Sequence, residues 1–507
     1  MTSSLNIGYM DDFTLGGPIQ SVAADVATIR SKGITIGLTL NPNKCEVISK
    51  TGAISHPQFE SFHQTTPDSA TLLGAPLSNG LAMDNILAGV CDNLKLATQR
   101  LQLISSHDAL LLLKNCLGGP KLQYVLRTSQ CCDHPLLRQF DDLLRSAVTR
   151  ICNVSLSDDQ WLQASLPVRH GGLGVRSVSM LASSAFLASA AGTQKLQNLI
   201  LQRSQVDRED VSKSTDHWKS IASPTEPVNL LESSQRRWDD TASNQTFQVL
   251  LDAQTEPFHR ARLLAAAAPH SSDWLHALPI SACGLRLSDE AVRVAVGLRL
   301  GTTLCQAHEC PCGAKVDERG THSLPCKRNP GRAQRHHYLN DMIWRAMTSA
   351  SIPAVKEPHG LVRSDGKRPD GLTLVPWREG RSATWDVTVT DTVAASYVLA
   401  SSTCAASAAE AAAQRKELKY SEISSSHHFF PLAIETLGPI NAEGQRFISE
   451  LGHRITAATD DPRETSFLFQ RLSVAIQRYN AVSLANSFQI SDANDDNFCT
   501  TSLPKHT

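Results

Sequence analysis

The sequence has no excess of charge of either sign. Its 48 lysines and arginines stand against 49 aspartates and glutamates, a formal net charge of -1. No global field therefore draws the chain onto nucleic acid or an anionic membrane, and any such binding must come from local patches. It also lacks a long hydrophobic run. The most apolar stretch, Ser177 to Gly192, is short and interrupted by serines, which suits a buried helix better than a membrane span. No basic region followed by an apolar core opens the chain, so no secretory signal is visible. Cysteine is sparse: thirteen, an odd number scattered over 507 residues, do not make the dense framework of a small secreted domain and read as a reducing compartment. No internal repeat is apparent.

What is present is globular. Hydrophobic content of 41% and charged content of 19% are those of folded domains, and the length suggests roughly three or four of them. Near the start, "GYMDDFTLGG" (Gly8 to Gly17) sets Asp11 beside Asp12 between two apolar stretches. Such a pair can hold hard divalent cations through oxygen, or can simply be turn chemistry. The pattern then reads as a helix from about Gln20 to Lys32, a period-two strand "ITIGLTLN", a turn at Asn41 and Pro42, and a short strand "KCEVIS". "LLGAPLS" (Leu72 to Ser78) is an apolar run ended by Gly and Pro. Helical periodicity then dominates from about Asp84 to Gln202, broken by the paired glycines of "LPVRHGGLGVRS". Between about Val206 and Glu256 the composition turns to Ser, Thr, Asp and Gln, with "SIASPTEPVN" as the expected flexible joint. Helix formers follow in "RARLLAAAA" and "SDEAVRVAVGLRL", the second opening on a Ser288 cap.

Two clusters carry chemistry. Cys310, Cys312, His322 and Cys326 form Cys-x-Cys-x9-His-x3-Cys within seventeen positions, enough thiolates and imidazole for a tetrahedral structural zinc site. Gly313 suits the tight turn, and Cys305 and His308 are spare ligands. Lys327, Arg328, Arg332, Arg335, His336 and His337 follow as the densest basic stretch, either a solvated loop or a grip on a phosphate backbone. In the second cluster Asp370 opens the apolar "LTLVPW" after Pro369, and Asp386 lies inside the strand "ATWDVTVT". An acid in a β-branched run is costly to bury unless it is paired or binds metal. The two carboxylates fall on neighbouring strands of an expected hairpin and can converge on one cation. A downstream Ala-rich helix, about Ala394 to Lys419, offers Lys416, Lys419 and Tyr420, and Glu357 is an optional third acid. This set describes Mg²⁺- or Mn²⁺-assisted phosphodiester cleavage, or else ordinary hairpin acids beside a lysine-decorated helix end.

Taken in order, "GYMDD", "GLTLNPNKCEVI" and "LLGAPLS" resemble the last three palm motifs of reverse transcriptases. Asp11 and Asp12 match the paired metal aspartates, Lys44 the motif lysine and Leu73 to Gly74 the primer grip. The knuckle with the Pro369-Asp370, Asp386, Lys416/Lys419-Tyr420 series resembles the C-terminal half of non-LTR retrotransposon proteins that nick DNA with a restriction-like, PD-(D/E)xK endonuclease. The resemblance implies a multidomain α+β chain. Its parts would be a partial reverse-transcriptase palm (1–83), a helical thumb-like region (84–205), a linker and helical region (206–300), a CCHC zinc knuckle with a basic segment (301–340), an α/β restriction-like endonuclease (341–485) and a disordered tail (486–507). It implies zinc and Mg (or Mn) as cofactors, DNA and element RNA as partners, no membrane, and an intracellular place, nuclear or cytoplasmic, the nuclear one by the resemblance only. Two departures shape the expectation. A third polymerase carboxylate and the fingers would precede Gly8, so the chain reads as the back half of a larger frame, truncated or mis-started, that does not polymerise alone. The usual nuclease lysine lies two residues after the second acid, where this chain has Thr388. The amine must then come from the helix, Lys416 ahead of Lys419.

Overall fold

The computed structural model describes residues 1–200, 210–362 and 366–488. Residues 201–209, where the helical reading ends and the shift in composition begins at Val206, lie outside it, as does the polar tail from 489 on. The chain is mixed α+β and divides into two compact units, one of residues 1–94, 120–141 and 178–242, the other of 95–119, 142–177 and 243–507. Among the described residues no helix is long and apolar enough to cross a membrane.

In the first unit, Leu5–Tyr9 and Asp12–Gly16 pair as an antiparallel hairpin with Tyr9 opposite Asp12. The helix Ile19–Thr35 follows and packs Ala23 and Val26 against Phe59, Leu15 and Val47. The expected strand "ITIGLTLN" is not one. The helix runs on through Ile34 and Thr35 and ends in a Schellman closure: Gly37 N–H donates to Ile34 O at 3.1 Å, Leu38 N–H to Gly33 O at 2.9 Å, and Gly37 takes φ +79°. The glycine that looked like the small residue of an alternating strand is the left-handed residue that stops a helix. Lys44 accordingly lies in the 3₁₀ turn Pro42–Lys44, ahead of the strand Glu46–Ile48, which pairs in parallel with His63–Thr65. "LLGAPLS" makes a two-residue hairpin, Thr71–Leu72 with Ala75–Pro76. Leu73 and Gly74 at its tip both have positive φ, as a type I′ turn requires.

In the second unit residues 330–485 form an α/β layer. Helix α1 (Pro330–Ser349) leads to β1 (Ala354–Lys356), β2 (Gly371–Thr373) and β3 (Ala383–Thr390); α2 (Ser407–Lys419) crosses over to β4 (His428–Glu435); α3 (Ala442–Thr459) and α4 (Glu464–Ala485) complete it. Strand order is β4-β3-β2-β1. The β3–β4 pair is parallel, Ala383 opposite His428 through Thr390 opposite Glu435, and the others are antiparallel. A parallel pair needs a crossover, which α2 supplies. The Ala394–Lys419 stretch, expected as one helix, is broken: a short turn of helix, Val398–Ser401, precedes α2, and Ala406 takes φ +64° between them.

Strand alternation divides the chemistry from the core. Trp385 and Val387 of β3, with Phe430, Leu432 and Ile434 of β4, bury against Leu339 and Ile343 of α1, Phe447 and Leu451 of α3 and Leu468 and Leu472 of α4. Each such side chain contributes about 1.5–3 kcal/mol on burial. Asp386, between Trp385 and Val387, must face the other way, toward α2. That helix lies close because it is alanine-rich: Ala409, Ala412 and Ala413 pack on Ala433. Gly371 has a reason of its own, since a Cβ there would stand 1.9 Å from Cζ2 of Trp385.

Candidate functional site

The register Gly371 opposite Trp385 sets Asp370 opposite Asp386 one step further on. Asp370 N–H donates to Trp385 O at 2.9 Å, and the Asp370 carboxylate takes the Val387 N–H at 2.6 Å, so it stands where the next ladder carbonyl would. Cross-strand partners in an antiparallel pair have Cβ atoms about 4.5–5.5 Å apart on one face. Asp386 is buried, 3% exposed. Burial, then the like charge of Asp370, push its carboxyl above the ordinary range, and Lys416 and the Tyr420 hydroxyl act against that rise.

Lys416 Nζ lies 2.5 Å from Asp386 Oδ1. Lys419 Nζ instead meets the Tyr420 hydroxyl at 2.8 Å. Tyr420 is fully buried and donates to Arg368 O at 2.8 Å. The helix thus brings Lys416 to the acids, and Lys419 to the tyrosine beside them. Glu357 does not join the group: it is exposed, its carboxylate is tied to Arg368, and that guanidinium holds its pKa below the usual carboxylate range.

A residue read only as part of a basic run enters the site. His336 Nε2 is 3.1 Å from Asp370 Oδ2, and this carboxylate raises the imidazole's pKa against the effect of its burial. One turn on along α1, Asn340 donates to Asp370 O at 3.2 Å and accepts from Trp385 Nε1 at 2.9 Å. Residues four apart on a helix share a face, so the pair His336 and Asn340 was the available signal. Arg335 corrects the basic stretch. It is 1% exposed, donates to Asn480 Oδ1 at 3.0 Å and to Leu324 O at 3.3 Å, and meets no solvent that could carry a phosphate. Lys327, Arg328 and Arg332 are exposed.

The second centre is the knuckle. Ligand atoms of Cys310, Cys312, His322 and Cys326 all lie within 4.8 Å of one another. The Cys310 and Cys326 sulfurs are 3.9 Å apart, and Cys312 Sγ is 3.1 Å from His322 Nε2. Tetrahedral zinc with Zn–S of about 2.3 Å separates its sulfurs by about 3.8 Å, so the group fits the ion. Gly313, at φ +87°, makes the turn, donating to Cys310 O at 2.7 Å. The Ala314 backbone N–H brings the Cys312 thiol down to about 7, whereas burial pushes Cys310 up to about 11. The spare ligands are used elsewhere: Cys305 Sγ lies 3.4 Å from Asp317 O, and His308 bonds Ser487 at 2.9 Å and stacks on Phe488.

Asp11, Asp12 and Lys44, matched to the reverse-transcriptase motifs by the resemblance, belong to the first unit. Asp11 and Asp12 are exposed at the hairpin turn, where Met10 takes φ +55°, and Lys44 is exposed. Leu73 O accepts the Tyr124 hydroxyl at 2.7 Å.

No protein-family model matches the chain. It is 24% identical over 477 residues to the "Retrotransposable element SLACS 132 kDa protein" of Trypanosoma brucei gambiense. The match takes in 89% of this chain and 35% of that protein, so the chain spans about a third of the length of the relative. The chain is thus distantly homologous to a retrotransposable element protein.

Proposed function

We propose that this chain is a retroelement protein whose intact chemistry is metal-dependent nicking of DNA by its restriction-like 341–485 region, joined to a zinc knuckle. The observation that carries the reading is the 2.5 Å contact of Lys416 with Asp386, on the sheet face where Asp370 opposes it. Asp370 and Asp386 would hold Mg²⁺ or Mn²⁺, which when bound supplies Lewis acidity to the scissile phosphate and acidifies a water. Lys416 orients the attacking water or stabilises the charge that develops on the phosphate. Val387 N–H and His336 both bond Oδ2 of the Asp370 carboxylate, and the Tyr420 hydroxyl acts against the rise in the Asp386 pKa. Cys310, Cys312, His322 and Cys326 would hold zinc, a structural role. Exposed Lys327, Arg328 and Arg332 would meet the phosphates of DNA or element RNA. Asp11, Asp12 and Lys44 would be the polymerase-like residues.

One observation favours a second reading, a non-catalytic nucleic-acid-binding remnant: Asp370 and Asp386 already have His336 and Lys416 as partners, so neither acid needs a cation. Supercoiled plasmid separates the two. With Mg²⁺ or Mn²⁺ the purified chain should nick it. Asp370→Ala or Asp386→Ala should cut the rate by about a hundredfold or more, some 2.7 kcal/mol of barrier, while gel-shift binding stays within about twofold. Binding with no metal-dependent nicking leaves the remnant.

A further inference from the structure

Two arginines lie buried side by side in the second unit. Arg262 and Arg299 are 4% and 7% exposed. Arg299 donates to Val168 O at 3.1 Å, Gly172 O at 2.9 Å and Ser272 Oγ at 2.6 Å. Arg262 donates to Gln163 Oε1 at 2.7 Å and to the Arg299 carbonyl. Every one of these acceptors is neutral, and among the described residues neither guanidinium has a carboxylate in an ion pair. Burial, and each other's or a neighbouring cation's charge, pull both down to about 9. A buried charge without a counter-charge is costly, and here there are two.

Arg262 is also the buried floor of an open cavity of about 800 Å³, whose wall includes His259, Thr303, Glu318 and Arg319. Its Nε has no hydrogen-bond partner and faces Gly301, another lining residue, where a Cβ would stand 2.7 Å from it. The floor of the cavity is therefore a buried cation without a counter-charge, with Arg319 nearer the surface. The rim differs: Asp159 and Glu318 are exposed there, and Gln160 and Gln254 add amides. Asp317, also on the wall, is already bonded to the N–H and hydroxyl of Thr321.

We propose that this cavity binds a nucleotide, its phosphate on Arg262 and Arg319 and the N–H edge of its base on the rim acids and amides. An inorganic anion would satisfy the floor and leave the rim acids opposed to it. A nucleotide carries the acceptors that the floor lacks and the donors that the rim can take. The volume lies within the range of small-ligand sites, about 300–1,000 Å³.

The test uses the full chain and three probes: inorganic phosphate, AMP, and a fluorescein-labelled single-stranded RNA trimer. AMP or the trimer should bind at least about tenfold tighter than phosphate. Arg319→Ala should weaken that binding about fivefold, and Thr303→Trp, an exposed lining position whose indole would take up part of the cavity, by about tenfold or more, each tenfold being 1.4 kcal/mol. Arg262→Gln is the direct change but alters a buried position, so circular dichroism and zinc content must match wild type before it is read. Equal binding of AMP and trimer would make the ligand a free nucleotide, and binding of the trimer alone a strand; both support the site. The proposal is overturned if neither binds, if phosphate binds as well as both, or if folded Arg319→Ala and Thr303→Trp bind as wild type does. Plasmid nicking is read separately, since none of these residues belongs to the Asp370 and Asp386 centre.

Discussion

At the residue scale, Lys416 and Lys419 lie three apart on α2 and were equal in composition and charge. What separates them is position along the helix and not its side, since residues three apart share a face. Lys416 reaches Asp386, while Lys419 ends on Tyr420. Lys416→Ala should therefore depress nicking by about a hundredfold and Lys419→Ala by less than about tenfold, read as single-turnover rates on plasmid; equal losses would remove the distinction. The opposed pair Asp370 and Asp386 was legible in the sequence because a turn and a period-two strand fix register. His336 was not, because its contact with Asp370 crosses from helix to sheet, and Arg335 was misread because a basic run does not say which member points inward. The acid opposite Arg335 offers a second test. Asp391 is buried, hydrogen-bonded by Thr436 at 2.6 Å, and pushed by burial up to about 6. Its folded pKa exceeds its unfolded value of 3.8, so the unfolded chain releases the proton first as pH rises. The native state then loses stability between about pH 4 and 6, by up to about 3 kcal/mol, and the penalty stays constant above that. Relative to wild type, Asp391→Asn should gain stability across that window in urea unfolding; parallel curves would contradict the sign.

At the element scale the knuckle also anchors the start of α1. Asn329 caps α1 by accepting from Gly331 N–H at 2.9 Å and donates to Ser483 O at 2.6 Å on α4. Arg335 then ties α1 to Leu324 and Asn480. His336, the next residue, touches Asp370. Zinc should therefore be bound at about one equivalent per chain, and Cys312→Ser with Cys326→Ser should abolish this. Chelation should lower the melting midpoint by several degrees, as expected where a structural ion carries folding energy. Because α1 bears His336, nicking should fall as zinc leaves and return when it is restored; a chelated protein that keeps its midpoint would show the knuckle to be ornamental to the fold. Cys/His spacing made this centre legible, whereas the segment "ITIGLTLN" shows the reverse case. Its alternation looked like a strand, but the hydrogen bonds of the preceding helix and one left-handed glycine decided it.

At the scale of the whole molecule, the resemblance cuts the chain at 300/301 among other places, and packing does not respect that cut. The helix Asp289–Leu300 packs on α4, and Trp274, 1% exposed, donates its backbone N–H to Ser473 Oγ at 3.1 Å on the same helix. Arg299 reaches further back, to the carbonyls of Val168 and Gly172. Gly172 cannot be replaced there, since a Cβ would stand 2.0 Å from Leu166 O, so the paired glycines that looked like a loop form the seat of a buried guanidinium. Contacts spanning more than a hundred residues leave no local periodicity or composition signal, which is why this part of the architecture was not legible. A fragment of 301–488 would expose the face of α4 that covers Trp274, and each large apolar group lost from such a core costs about 2–5 kcal/mol. It should be markedly less soluble, or melt well below the full chain. A fragment of 243–488 restores Trp274 and the Asp289–Leu300 helix but leaves Arg299 without its two carbonyl partners, each lost bond to a buried charge costing about 1.5–3 kcal/mol. It should bind zinc, yet melt below full length. If 301–488 proves as stable as both longer chains, the boundary that the resemblance implies is the physical one, and the helices before it contribute nothing to the 330–485 core.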